Sequence, residues 1–281
     1  MKSSYYKYFA ALLLFGSNGI VASNINLPSY EIVLLRLLLG SLFLITVFTV
    51  SRQRFTFYRN KHTCLYLFIS ASAMGASWML LYEAYQQVGV SIASLAYYCG
   101  PVIVMILSPF LFRETLTWPK IAGFLTVLAG MCLVNLQALD EGKTIWGLFC
   151  GLMSAFMYAL MVTANKKAKP ESGLENSLLQ LVIGSFIVVA FVSMQKNFVL
   201  SLTTIDWIPV LLLGLLNTGI GCYLYFSSIT DLPVQTVAIC GYLEPLSAVV
   251  FSVLFLHEVL LPLQMLGAVL ILGGAIFGEC F

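Results

Sequence analysis

Glu244 interrupts an apolar run spanning 233–255, about eleven positions from its start. At 1.5 Å per residue it would lie roughly 16 Å into a membrane helix. A charge at that depth costs about 2.5–3.5 kcal/mol on insertion scales, which restricts it to a water-lined cavity or a paired state. Two chemistries suit such a carboxylate: holding the cationic group of a ligand, or taking up a proton. The plainer alternative is a protonated or helix-capping side chain that only supports packing.

The groups that could surround it are aromatic and amide rather than nucleophilic. Trp78, Tyr82 and Tyr85 recur at i, i+4 and i+7, the spacing of one helix face. Tyr97 and Tyr98 follow in the next apolar run, and Asn217, Tyr223 and Tyr225 lie in a later one. Interfacial enrichment of aromatic residues accounts for Tyr5, Tyr6, Tyr8, Trp118 and Trp207. It does not account for the deeper Trp78 and Tyr97. With Asn18 and Tyr158 these residues predict a cavity of aromatic walls and sparse hydrogen-bonding groups, suited to a small amphipathic or aromatic molecule. Ordinary helix packing is the competing account.

Pro101 and Pro245 each remove a backbone donor near the middle of an apolar run. They are expected to bend their helices and to serve as gating points, freeing a carbonyl to meet water or a ligand. Arg36 and Glu31 stand at the start of the second run, five residues apart and poorly placed for a mutual ion pair. Arg36 reads as an interfacial anchor or as a lure for anions, with Glu83 as its guessed partner. No HExxH, GxSxG or aspartate pair falls in a span, so no catalytic residues, and no enzyme, are expected. The seven cysteines lack CxxC spacing, and His62 and His257 fall at helix ends; neither a metal site nor a cofactor is indicated.

The elements that must carry these residues are membrane helices. Hydrophobic residues make up 60% of the 281 and charged residues only 9%, a balance that no water-exposed surface tolerates. Apolar runs of spanning length occupy 5–25, 30–50, 64–85, 90–112, 118–137, 144–164, 177–195, 206–228, 233–255 and 263–281. The first could be mistaken for a cleaved leader, but its loss would leave an odd helix count. With a cytoplasmic amino terminus, one side of the bilayer receives Lys2, Lys7, Arg52, Arg54, Arg59, Lys61, Arg113, Lys120, Lys166, Lys167 and Lys169, and the other only Lys143 and Lys196. That asymmetry fits ten spans with both termini cytoplasmic. The basic residues are few and scattered, so nucleic acid is not an expected partner; membrane lipid and a small-molecule substrate are.

The chain also repeats itself. Tyr98, Pro101, Ser108, Glu114, Leu116, Gly123, Leu128 and Gly130 recur 144 positions later as Tyr242, Pro245, Ser252, Glu258, Leu260, Gly267, Leu272 and Gly274. Five spans per half is an odd number, so the second copy must enter the bilayer from the opposite face. The expected fold is therefore an all-α integral membrane protein of ten transmembrane helices in two inverted five-helix repeats, 1–140 and 141–281. Glu244 has Gly100 as its counterpart, so scaffold symmetry does not demand a carboxylate there. The glycines of the last helix in each half, Gly123, Gly130, Gly267, Gly273 and Gly274, suggest close packing as scaffold or against a second copy in a homodimer.

The doubled pattern of a mid-helix proline, an apolar stretch, a glutamate at the helix end and a glycine-rich final helix, with Arg36 early in the second helix, resembles the EamA family of the drug/metabolite transporter superfamily. The resemblance covers essentially the whole chain. One departure is Pro233, which stands where the first half has Gly89. The family implies a secondary transporter of the inner (plasma) membrane that exports amino acids or similar small amphipathic metabolites by alternating access. An importer or exchanger, proton-coupled or not, is the alternative within the class. A membrane-embedded enzyme is the alternative outside it.

Overall fold

Backbone groups in hydrocarbon must satisfy one another, so apolar runs of this length close their hydrogen bonds within helices. The computed structural model describes residues 2–25, 27–135, 145–194, 207–256 and 262–280, and every regular element among them is helical. Six helical stretches are long and apolar enough to cross a bilayer: Tyr30–Val50, Lys61–Val88, Ile145–Ala168, Gly173–Ser193, Trp207–Ser228 and Val234–Phe255. Shorter apolar helices cover Cys99–Phe112, Trp118–Leu133 and Met265–Gly278. The distribution of polarity is the reverse of a soluble core. Phe110 and Phe186 are 81% and 69% exposed on the outside, where acyl chains would meet them. Ser70, Asn165, Asn176 and Gln180 are fully buried inside.

In chain order the helices are α1 (Lys2–Gly16), α2 (Asn18–Ser23), α3 (Ser29–Val50), α4 (Lys61–Tyr97), α5 (Cys99–Phe112), α6 (Trp118–Asn135), α7 (Ile145–Ala168), α8 (Gly173–Ser193), α9 (Trp207–Leu211), a π-helical segment Leu212–Ile220, α10 (Gly221–Ser228), α11 (Val234–Cys240), α12 (Leu243–Leu256) and α13 (Pro262–Cys280). Three runs expected to be continuous are broken. The first breaks at Ser17, the fourth at Tyr98 and the ninth at Gly241 and Tyr242. Conversely, the connection expected between the third and fourth runs is itself wound into α4. Yet α4 is no straight rod. A Cβ added to Gly151 would stand 2.8 Å from the Cβ of Ala96 and 3.8 Å from that of Ala84, residues that a straight helix would separate by about 18 Å. The run doubles back between them.

Buried amides join the bundle. Asn165 donates to the Asn176 side chain at 2.9 Å, Asn176 to the carbonyl of Phe226 at 3.0 Å, and Ser70 to the carbonyl of Met161 at 2.9 Å, linking α4, α7, α8 and α10. The glycine faces of α6 and α13 lie against each other. A Cβ on Gly123 would stand 2.5 Å from the carbonyl oxygen of Gly274, and one on Gly130 2.6 Å from that of Gly267. Two contacts join residues 144 positions apart: the Ser41 and Ser185 hydroxyls at 3.0 Å, and the Tyr242 hydroxyl donating to the Tyr98 carbonyl at 2.7 Å. His257, Glu258, Lys143 and Lys196 lie outside the described residues.

Candidate functional site

The broken helices surround a cavity of about 580 Å³. Asn18, Trp78, Tyr82, Tyr97, Tyr158 and Glu244, six of the residues expected to form a binding site, all line it. They arrive from α2, α4, α7 and α12, so the wall draws on both ends of the chain. The aromatic rings brace one another. Tyr97 meets Tyr158 edge to face at 5.5 Å between centroids, Tyr82 meets Tyr85 at 5.2 Å, and the Tyr158 and Tyr225 hydroxyls lie 3.3 Å apart.

Glu244 reaches the cavity because α12 begins beside it. Pro101 and Pro245 both fall within the first turn of their helices, α5 and α12, where a missing backbone donor costs little. The helix does not merely bend at these prolines, as the sequence suggested; it stops and restarts just ahead of them. Glu244 is the second residue of α12, near the end at which backbone N–H groups point outward. Its carboxylate receives no hydrogen bond from any described residue. Neither oxygen is among the enclosed, unpartnered atoms, so both face the cavity.

Asn217 and Tyr223 stand off the cavity. The Asn217 amide donates to the Leu14 carbonyl at 2.8 Å, the Ser17 hydroxyl at 2.8 Å and the Asn18 side chain at 3.0 Å. It therefore braces the break between α1 and α2 and fixes the orientation of Asn18. Tyr223 lies beside Lys7, whose ammonium is 5.9 Å from the ring centroid.

Arg36 is the cavity residue that sequence reasoning undervalued. It is only 6% exposed and lines the wall rather than an interface. Its guanidinium lies 4.6 Å from the Trp78 ring centroid, and Nε donates to the Thr218 hydroxyl at 2.9 Å. Thr218 donates in turn to the carbonyl of Leu213, five residues back, within the π segment. The guessed pairing of Arg36 with Glu83 does not form. Glu83 instead accepts from the Tyr30 hydroxyl, from Gln87 at 3.1 Å and from Trp146 at 3.3 Å. Nor does Glu31 reach it; one Glu31 oxygen is buried without a partner. The signal that could have found Arg36 was present: it is the one basic residue well inside an apolar run.

The cavity is bounded at the end that carries the amino terminus by a polar seal, none of whose residues lines it. Glu114 accepts from the backbone N–H groups of Val234 and Gln235 at 2.9 and 3.1 Å, and Lys120 donates to the Gln235 side chain at 2.8 Å. Gln235 donates to Ser108 at 3.0 Å, Lys166 donates to the Thr230 carbonyl at 2.6 Å, and Ser4 donates to Asp231 at 2.9 Å. At the opposite end Gly19, Ala22, Ile25 and Leu27 belong to the cavity wall itself.

Known proteins resemble this chain in sequence and fold. The sequence profile of the EamA-like transporter family matches twice, over residues 3–136 and 145–277. YxxF of Bacillus subtilis (strain 168), described as an uncharacterized transporter, is 27% identical over 275 residues, covering 95% of this chain and 86% of that one. The threonine/homoserine exporter RhtA of Escherichia coli (strain K12) is 28% identical over 233 residues, covering 83% of this chain and 75% of that one. A solved crystal structure with 18% sequence identity superposes with a TM-score of 0.85 over 100% of this chain and 97% of the other, a likeness of fold.

Proposed function

The chain belongs to the EamA-like transporter family, and on that premise we propose that it exports amino acids or similar small amphipathic metabolites by alternating access through the central cavity. The family and the relatives described above are transporters, not enzymes. The observation that carries the proposal is Glu244, a carboxylate turned into a 580 Å³ aromatic cavity with no described residue donating to it. A packing residue would be paired; this one is available to a cation or a proton. RhtA, an exporter of threonine and homoserine by description, supports the substrate class and the outward direction.

Ten transmembrane helices in two inverted repeats, 1–140 and 141–281, are the architecture we attach to this function. The double match of one family profile supports it, as do the paired contacts. A twofold exchange of positions 144 apart maps Ser41 onto Ser185 and Tyr98 onto Tyr242, and it maps the Gly123 to Gly274 approach onto that of Gly267 to Gly130. The helix breaks ahead of Pro101 and Pro245 are then the matched gating points of the two halves. The concentration of basic residues at the sealed end supports a cytoplasmic location for both termini, in an inner or plasma membrane. With that orientation the cavity of this conformation faces outward.

The test is counterflow in proteoliposomes. Glu244→Gln is expected to lower exchange by at least about tenfold, the loss of one charge-assisted contact, while the variant elutes as a folded protein. Wild-type exchange in that variant would remove Glu244 from the site.

A further inference from the structure

Among the described residues, Arg36 and Glu244 are the only formally charged side chains on the cavity wall. They are opposite in sign, they are not joined to each other, and the protein leaves both incompletely partnered. Glu244 receives no hydrogen bond from any described residue. Arg36 uses Nε on Thr218 and one face on Trp78, and no described residue accepts from its two terminal nitrogens. These nitrogens are not among the enclosed, unpartnered atoms either, so they too open on the cavity.

Charges in a narrow aromatic cavity are short of water, and stranding one costs more than the other gains from pairing. A singly charged cation would satisfy Glu244 and displace water from an unanswered guanidinium. A singly charged anion would do the reverse. A molecule carrying both signs answers both at once, and its net charge of zero matches the sum of the two wall charges. Arg36 is also held in advance. With its guanidinium held over the Trp78 ring and Nε fixed by the π segment, the terminal nitrogens present a fork of N–H donors, the geometry that engages a carboxylate through two parallel bonds. The other described wall residues are uncharged: Phe15, Met74 and Leu81 are apolar, and Asn18, Ser94 and the tyrosines add neutral hydrogen-bonding groups. They accommodate an uncharged side group and offer no opposite charge to a third one.

We propose that the cavity recognises zwitterions with an uncharged side group, Glu244 facing the ammonium and Arg36 the carboxylate, so that Arg36 sets specificity for the anionic end. This rests on the transporter reading of the same cavity. The experiment uses the full chain in proteoliposomes and in detergent. Counterflow and ligand-dependent thermal stabilisation are measured for each neutral L-amino acid, then for the amide and the des-amino acid of the one that performs best. Wild type is expected to prefer the parent over either singly charged analogue by about ten- to hundredfold, the range for a hydrogen-bonded charge. Arg36→Gln should lower activity toward the parent to that of its amide while leaving the amide unchanged, and Arg36→Lys should restore part of the preference. Equal handling of parent and amide by wild type, or an equal loss for both in Arg36→Gln, would overturn the inference and leave the transporter reading standing. Stabilisation by the zwitterion without exchange would overturn the transporter reading and keep the site. If no zwitterion is exchanged or bound while an organic cation is, the inference fails alone; if nothing is exchanged or bound, both fail.

Discussion

Positions 144 apart, which the proposed repeat sets at opposite ends of this bundle, are finished with different chemistry. At the end bearing the amino terminus, Glu175 accepts from the Thr56 backbone and hydroxyl, both at 2.6 Å, and from the Phe57 backbone at 2.9 Å, tying α8 to the segment before α4. Its counterpart 144 positions earlier is Glu31, which is buried with one oxygen unpartnered. Lys166, which donates to the Thr230 carbonyl, corresponds to Ala22, a residue of the cavity wall. On the proposed repeat the scaffold is supplied twice, and among the described residues the closures at Glu175 and Lys166 are not repeated at Glu31 and Ala22. If the halves are near-equivalent as proposed, this difference between described residues favours a resting conformation sealed at the amino-terminal end.

The sharpest way to break this comparison is to ask which end admits solvent. In a cysteine-free background, Ala22→Cys is expected to react with a membrane-impermeant maleimide in whole cells, whereas Glu114→Cys should react only after permeabilisation. Labelling of both from the same side would end the proposed sidedness of the cavity and its seal. Less drastic are the carboxylates. Glu175→Gln should destabilise the protein by about 1.5–3 kcal/mol, because three donors lose a charged acceptor. Glu31→Gln should be neutral or slightly stabilising, because it relieves a poorly partnered buried charge. Thermal unfolding in detergent separates the two, and equal losses would erase the contrast. The smallest effect is expected at the contact between Ser41 and Ser185. Ser41→Ala removes one interhelical hydrogen bond, worth about 0.6 kcal/mol in membrane proteins, and Ser185→Ala should cost slightly more because the Ser185 hydroxyl also donates to the Leu181 carbonyl at 2.7 Å.

Much of the site was legible because polar and aromatic groups stand out against apolar runs. Glu244, Asn18 and Trp78 needed only their depth to be noticed, and all three reached the cavity. Arg36 was harder, since a long side chain near a helix start can reach the interface or turn inward, and hydropathy does not record which. The helix breaks at Ser17, Tyr98 and Gly241 were hidden because apolar character continues through them. Asn217 stands off the cavity for a reason that residue type does not record. It lies within Leu212–Ile220, where the chain winds as a π-helix. Residues on either side of that segment no longer share the face that the 3.6-residue period assigns them.

The same segment has a mechanical consequence. Asn217 and Thr218 are neighbours in it; the first grips the joint between α1 and α2, and the second steadies the guanidinium across the cavity. Adjacent helical residues project in divergent directions, so one stretch of backbone touches two otherwise separate parts of the wall. Any rewinding of this stretch toward an ordinary helix turns both side chains together, and the hinge cannot shift without the anchor of Arg36 registering the movement.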